Sequence, residues 1–490
     1  ALMLAACGGG GGGSAGTQNV NPGRGELMQN PPPRTLSLSA AEFSGELQLG
    51  GAAGQTLLGL AVAGTGSATL PCGVDVHHIK YGTSDGKGGI TQASAALMVP
   101  TGGTGCSGAR PIVLHAHGTA VERRFNLADF IDATNPAHDE QTLIASQYAA
   151  KGYIVVAPNY AGYDTSPLPY HPFLVADQQS KDMIDALTAA RTALPKLLAP
   201  VSDNGKLFIT GISQGGHVAL ATFQAMQALN MTVTATAPLE PVSALLNYGD
   251  YILSGHIPIS STLLMPMLIN GYQKVYGDVY TSPTDFYTAT YASGIEAAFP
   301  GSYSFDTLLT SVVVPPAALF SSGSAATPVS ISALPLFFFG EGTGNLITDS
   351  ARTNYNNNLN LTTNRLRAHL QQNDMTSLVV DKPMLMCGGS QDPTVFFSEN
   401  AETSAAAWAG NPYVSLLDLE NVYPLTNANA GVAKATGAAI SGLQSAFQTA
   451  KAATQAAAPT DPLAVVKKYH GSLAPTFCVA AASGYFAQIP

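Results

Sequence analysis

The segment Gly211-Ile212-Ser213-Gln214-Gly215-Gly216 constrains this chain more than any other. It fits the pattern G-x-S-x-G. A buried-strand run, Leu207-Phe208-Ile209-Thr210, precedes it, and a helical pattern follows to about residue 229. Such a junction puts the serine on a sharp, strained turn, and glycine on either side lets the strand and the helix approach closely. The turn holds the hydroxyl out at the C-terminal edge of a sheet. It also aims the next N–H, that of Gln214, at the space where an oxyanion would develop.

The flanking sequence supplies the neighbours such a turn needs. Residues 76–81 and 93–99 read as strands around the turn Asp85-Gly86-Lys87-Gly88-Gly89. Residues 111–118 form a short buried strand running into a glycine turn, and residues 153–157 form another. Helical patterns cover 140–151 and 177–198, and a further strand covers 232–238. Strands alternating with helices at this spacing predict a mostly parallel sheet with helices on both faces. After Glu240 the rhythm breaks. Residues 243–375 are rich in Leu, Met, Phe, Tyr, Pro and Ser without strand–helix alternation, which predicts an inserted, largely helical cap. The buried strand resumes at 384–386, the last strand covers 414–419, and the Ala-, Gly- and Thr-rich stretch 427–459 reads as an exposed helix. The expected division is therefore a leader and tether (1–35), a first core part (36–242), the cap (243–375) and a second core part (376–490).

Charge excludes some partners. Against 31 acidic residues stand 21 Lys and Arg, a net charge of −10. Such a chain has no general means of neutralising phosphates, so nucleic-acid binding is not expected. With 46% apolar and 11% charged residues, the composition is that of a folded protein rather than a disordered one. Near the beginning, Leu4-Ala5-Ala6-Cys7 resembles a bacterial lipobox, the end of a signal peptide, in which Cys7 would carry lipid. The glycine run and Pro31-Pro32-Pro33 behind it suit a flexible tether. Any membrane contact is expected only through that anchor, on an exported protein of the cell envelope. Beyond Cys7 there remain Cys72, Cys106, Cys387 and Cys478, an even number. Four cysteines allow three connectivities. Cys72–Cys106 and Cys387–Cys478 are expected, because each pair flanks segments expected to be neighbours.

A nucleophilic serine needs a base, and the base needs an acid to fix its tautomer. Met384 to Met386, then Cys387-Gly388-Gly389-Ser390-Gln391-Asp392-Pro393, has the form strand, glycine turn, acid, helix start. Asp392 is thus the expected acid. Glu240, just after the strand that follows the elbow helix, is its rival. In the order Ser, acid, His used by α/β-hydrolases, the base must follow the acid, and His470 is the one histidine after Asp392. The loop His117-Gly118-Thr119 is expected to supply the second oxyanion amide, from Thr119, with Gly118 and Ala120 as alternatives. His115 and His117 lack a third ligand at metal spacing, so no metal is expected.

With these pieces in place the chain resembles an α/β-hydrolase, and in particular bacterial relatives of the secretory lipase family. The resemblance rests on His117-Gly118-Thr119, on Asn159-Tyr160-Ala161-Gly162-Tyr163 with Ser166, on the Ser213 elbow, and on the Asp392 and His470 loops. It covers roughly residues 76–478, with the cap matched as an insertion only. It implies carboxylic ester hydrolysis, a cap over the acyl pocket and no cofactor. Two departures stand out: Asn159, where relatives often carry Asp, and the Ala-rich insertion before His470.

The function expected is therefore a serine esterase or lipase acting on small-molecule or lipid-like esters. The cap runs 263–269 and 334–339 are candidates to line the acyl pocket. A peptidase or acyltransferase of the same fold is the alternative, and an inactive surface-binding module a further one. The sequence carries neither the propeller nor the amine-gripping carboxylate pair often seen in peptidases of this fold. An inactive module would usually have lost Ser or His.

Overall fold

Helices on both faces of one sheet carry the site. The computed structural model describes residues 22–310, 313–315, 318–328, 344–420 and 432–490. Its strands are β1 (Arg34–Leu38), β2 (Gly73–Ser84), β3 (Ile90–Thr101), β4 (Gly108–Ala116), β5 (Ile154–Pro158), β6 (Val201–Ile212), β7 (Ala235–Leu239), β8 (Met384–Gly388), β9 (Val414–Asp418) and β10 (Ala433–Lys434). They lie in the order β1-β2-β3-β5-β4-β6-β7-β8-β9-β10. The pairs β1–β2, β2–β3 and β3–β5 are antiparallel; every pair from β5 across to β10 is parallel. This is the mostly parallel sheet that the alternating pattern predicts. Strands β5, β7 and β8 are buried along their whole length, which is why they read as unbroken apolar runs rather than as alternating ones.

The helices of the first part are α1 (Ala40–Leu49), α2 (Gly51–Val62), α3 (His138–Gln147), α4 (Ala176–Ala193) and α5 (Gln214–Ala228). α4 packs on α5, which lies against β6 and β7. On the opposite face α2, α3 and the C-terminal helix Ala474–Phe486 pack on one another. The helix expected over 177–198 stops at Ala193, and Pro195 then sits in a tight turn over Leu194–Lys196.

The cap residues pack in a second hydrophobic core, which Val121, Phe173, Leu174, Val175, Val395 and Phe396 join from outside the cap. Helices α6 (Leu245–Ser254) and α7 (Ser261–Tyr276), with Asp349–Asn357 and Arg365–Gln372, bury Leu263, Ile269, Tyr272, Tyr287, Leu346 and Leu366 in it. Among the described residues no helix is long and apolar enough to cross a membrane.

The boundary expected at residue 35 lies too late. Gly25 N–H donates to Gly82 O at 2.8 Å, Met28 N–H to Lys80 O at 2.8 Å, and the Arg24 guanidinium grips Asp185 at 3.0 and 3.1 Å. A Gly- and Pro-rich extended segment suits a tether, but it equally suits pairing along the stretch of β2 that β1 leaves free. The fold therefore begins by Pro22. The α1–α2 hairpin is also absent from the sequence reading. Its one local signal is a capping box: Ser39 Oγ accepts from Glu42 N–H at 3.2 Å, and the Glu42 carboxylate accepts from Ser39 N–H at 2.8 Å.

Candidate active site

Ser213 joins β6 to α5 with φ 58° and ψ −114°, a left-handed conformation that a non-glycine residue holds only under strain of about 1–3 kcal/mol. The surroundings over-determine it. Its N–H donates to Leu239 O at 2.8 Å, which pins the turn to the end of β7. A methyl group at Gly215 would collide with the Ala116 carbonyl, and one at Gly216 with Pro241. Those two glycines are what allow β4, the elbow and the β7 exit to meet.

Two loops bring partners to the Ser213 hydroxyl. Asp392 follows β8. Its Oδ1 accepts from the Thr394 and Val395 amides at 2.8 and 3.0 Å, so the loop folds back on its own carboxylate. His470 lies in the turn Tyr469–Leu473, just before helix Ala474–Phe486. Its Nδ1 lies 2.6 Å from Asp392 Oδ2 and its Nε2 2.8 Å from Ser213 Oγ. The three residues expected to form the triad thus stand in one hydrogen-bonded line. The His470 side chain is 13% exposed and that of Asp392 2%, so the line runs from the cleft into the interior. Cys387 in β8 is bridged to Cys478 with Cα atoms 5.6 Å apart, and the bridge ties the strand carrying Asp392 to the helix behind His470. Cys72 and Cys106 are bridged at the same Cα separation, joining the approach to β2 with the β3–β4 loop. Both expected pairings are present.

Glu240 is also here. It follows β7 at φ 47°, its side chain is fully buried, and its carboxyl reaches within 3.6 Å of His470 Nδ1. Among the described residues neither of its oxygens has a hydrogen-bond partner. Burial first, and then the Asp392 charge beside it, push its carboxyl well above the usual range. Two adjacent buried carboxylates cannot both ionise cheaply, and donors decide which one holds the charge. Three face Asp392 and none faces Glu240. Burial and the missing donors therefore favour the protonated form of Glu240.

The loop after β4 forms the opposite wall. Gly118 N–H is held by both Glu140 oxygens at 3.2 Å, and Glu140 also meets His115 Nε2 at 2.8 Å. That commitment removes Gly118 from the candidate oxyanion donors. The Thr119 and Gln214 amides have no acceptor among the described residues. Thr119 lines the same cleft as Ser213, whereas Ala120 is packed in the core. Tyr160 O–H donates to the His117 carbonyl at 3.1 Å and Tyr163 O–H to the Ala120 carbonyl at 2.5 Å, which fixes the loop from behind. Asn159 does the same from the side: Leu127 N–H donates to its oxygen at 2.8 Å, and its amide donates to Ser94 Oγ and Asn126. Asn159 is thus a buried brace and does not line the cleft.

His115 and His117 do not converge on a metal. His115 is engaged by Glu140, while both ring nitrogens of His117 meet carbonyl oxygens, those of Gly118 and Asn159. Burial lowers His117 to about 4. Glu240, Asp392 and His470 do place ligand atoms within 4.8 Å of one another. Their chemistry suits a cation poorly, since burial favours the protonated form of Glu240 and both His470 nitrogens are already engaged. His217 is buried against the Asn373 carbonyl at 2.7 Å, a packing role.

Sequence reasoning missed two supports of the site. Glu140 was read only as a helix start, and its contact with Gly118 lies 22 residues back along the chain. His171 donates from Nδ1 to the Ala161 carbonyl at 3.0 Å and accepts at Nε2 from the Gln214 side chain at 2.6 Å, holding the residue after the serine. No local motif announces either contact. Of the run 263–269 only Leu264 faces the cleft; most of the rest is buried in the cap core. Cys7 and the run 334–339 lie outside the described residues.

Comparison with known proteins bears on the fold. No protein-family model matches the chain, and no curated protein matches it in sequence. Among solved structures it is similar to the rice cell wall degrading esterase LipA of Xanthomonas oryzae, with a TM-score of 0.65 and 25% identity over 84% of this chain and 94% of that one. A Legionella pneumophila protein carrying a hydrolase designation gives a TM-score of 0.65 at 17% identity, over 94% and 98% of the two chains. Candida antarctica lipase A in its closed state gives 0.51 at 11% identity, over 86% of each. The chain has the α/β-hydrolase fold.

Proposed function

We propose that this protein hydrolyses carboxylic esters by a serine acyl-enzyme mechanism. The observation that carries the reading is the His470 ring, bonded to Ser213 Oγ on one side and Asp392 on the other. As Ser213 Oγ attacks the ester carbonyl, its proton passes to His470 Nε2. The carbonyl oxygen becomes an oxyanion in front of the Gln214 and Thr119 amides, which have no other acceptor among the described residues. His470 returns the proton to the leaving alcohol, and the acyl group stays on Ser213. Water then attacks the acyl carbonyl, giving its proton to His470, and the acid departs as Ser213 Oγ is reprotonated. Asp392 holds the ring with Nδ1 protonated throughout and balances the imidazolium. Each oxyanion donor of this kind is worth about 3–4 kcal/mol in the transition state.

The likeness to an esterase at 25% identity supports ester bonds over amides. Two disulfides support an exported protein, and we propose membrane contact only through lipid on Cys7. Assay of p-nitrophenyl butyrate beside the matching anilide tests the reading. Ester turnover without anilide turnover is expected; faster anilide turnover would favour the peptidase alternative.

A further inference from the structure

The cleft in front of Ser213 is larger than a small ester requires. Its volume is about 1450 Å³, above the roughly 300–1,000 Å³ that holds a drug-sized ligand. Ser213, Thr119 and His470 stand in one part of its wall. On the cap side the lining is mixed, with Ser260, Ser261 and Thr262 beside Leu264. On the far side it is mainly apolar and is built by segments outside the cap. Phe43 and Leu47 of α1 and Ala53 and Leu57 of α2 form one bank.

The other bank is the helix Ala438–Ala457. Ala450, Ala453, Thr454 and Ala457 line the cleft at the spacing i, i+3, i+4, i+7, which is a single helix face. That face runs for about 10 Å, at about 1.5 Å per residue. The flank beside that face is fixed to the catalytic loop. Phe447 is wholly buried, 5.7 Å from the Tyr469 ring and 5.4 Å from that of Phe477, and Lys451 pairs with Glu420, which also accepts from the Tyr469 hydroxyl. The bank therefore keeps a set position relative to His470. Charged Glu46, Asp139, Lys467 and Lys468 are exposed at the mouth, so an apolar channel opens through a polar rim.

We propose that this channel, between the α1–α2 hairpin and the helix Ala438–Ala457, holds the acyl chain of a long-chain ester. The proposal rests on the ester-hydrolase reading above and assigns the acyl arm to these two segments instead of the cap. The hydroxyl-bearing cap side then faces the alcohol. The inserted Ala-rich helix acquires a purpose on this view: its small side chains leave width for an alkyl chain, while Phe447 anchors it.

The test is kcat/KM along p-nitrophenyl acetate, butyrate, octanoate and dodecanoate, for the parent and for Ala453→Trp and Ala53→Trp. Both alanines are exposed, one on each bank. The parent should gain with chain length, by at most about fourfold per methylene, the factor equivalent to about 0.8 kcal/mol. Either tryptophan should lower the dodecanoate-to-butyrate ratio by about tenfold or more, as leaving two methylenes unburied would. Thermal unfolding checks that each variant is folded, and if one is not, the other bank decides. A ratio unchanged in the folded variants but shifted by Leu264→Trp would put the acyl chain on the cap side and overturn the proposal. A flat acyl series with a response to long-chain alcohol acetates would overturn it too. A parent that hydrolyses none of the esters would instead defeat the reading on which it rests.

Discussion

Asp392 and Glu240 reach for the same ring nitrogen of His470, at 2.6 and 3.6 Å, yet only Asp392 is met by hydrogen-bond donors. The two carboxyls leave parallel neighbouring strands, β8 and β7, and either exit could present an acid to the histidine. What separates them is solvation by the protein. The Asp392 loop turns two of its own amides onto the carboxylate, and Glu240 receives nothing.

The pair therefore answers differently to loss of charge. Asp392→Asn should cut kcat by about ten-thousand-fold, because the amide favours the wrong imidazole tautomer. Glu240→Gln, a neutral isostere of the protonated acid, should leave turnover close to that of the parent. Steady-state kinetics on one ester decide the point, and the reverse pattern would make Glu240 the working acid.

The disulfides should separate stability from activity. In the chain-entropy model, a bridge spanning 91 residues, such as Cys387–Cys478, contributes about 4–5 kcal/mol. The 34-residue span of Cys72–Cys106 gives about 3–4 kcal/mol. Paired Cys→Ala variants should both unfold more easily in urea. Only loss of Cys387–Cys478 should also lower kcat in the still-folded protein, because small misplacement of a base is costly to catalysis. Equal kcat in the two variants would show that the bridge does not position His470.

How much of this was legible in the sequence depended on how local each cause is. The elbow was readable because Gly211, Gly215 and Gly216 are demanded by contacts at one turn. Asp392 and His470 followed from chain order and a glycine loop. Thr119 was expected as the second oxyanion amide, but what sets Gly118 aside was not readable, since Gly118 is claimed by Glu140 of α3 through a contact made only in the folded chain. The protonation of Glu240 was hidden for the same reason, as it depends on what fails to reach a carboxyl buried between two strands. The α1–α2 hairpin escaped because its Ala- and Gly-rich sequence has no sharp apolar stripe, leaving the Ser39–Glu42 box as the signal. The cap lacked strand–helix alternation because it is a helical body packed in a second core.

Acid should weaken the fold partly through His171. Burial lowers it to about 3, and as a neutral ring it accepts from Gln214. Unfolded, it titrates near the ordinary value of 6.5. A depressed folded value means that its stabilisation is complete above about 6.5 and is lost as pH falls toward 3. Asp182, raised by burial to about 7, works with the opposite sign: its contribution is present below 3.8 and fades as pH rises through 7. Because Asp182 is common to both proteins, comparing the parent with His171→Gln isolates the histidine. The variant should lose less Tm between pH 6.5 and 4 than the parent does; identical losses would contradict a buried neutral His171.

In the proposed mechanism Ser213 is the nucleophile, activated by His470. Labelling with a fluorophosphonate, followed by mass spectrometry of the peptides, tests it most directly. One adduct per chain is expected, on Ser213, with no adduct in Ser213→Ala, slow labelling in His470→Ala, and ester hydrolysis lost in parallel in both variants. An adduct on another residue, or full ester turnover by folded Ser213→Ala, would contradict it.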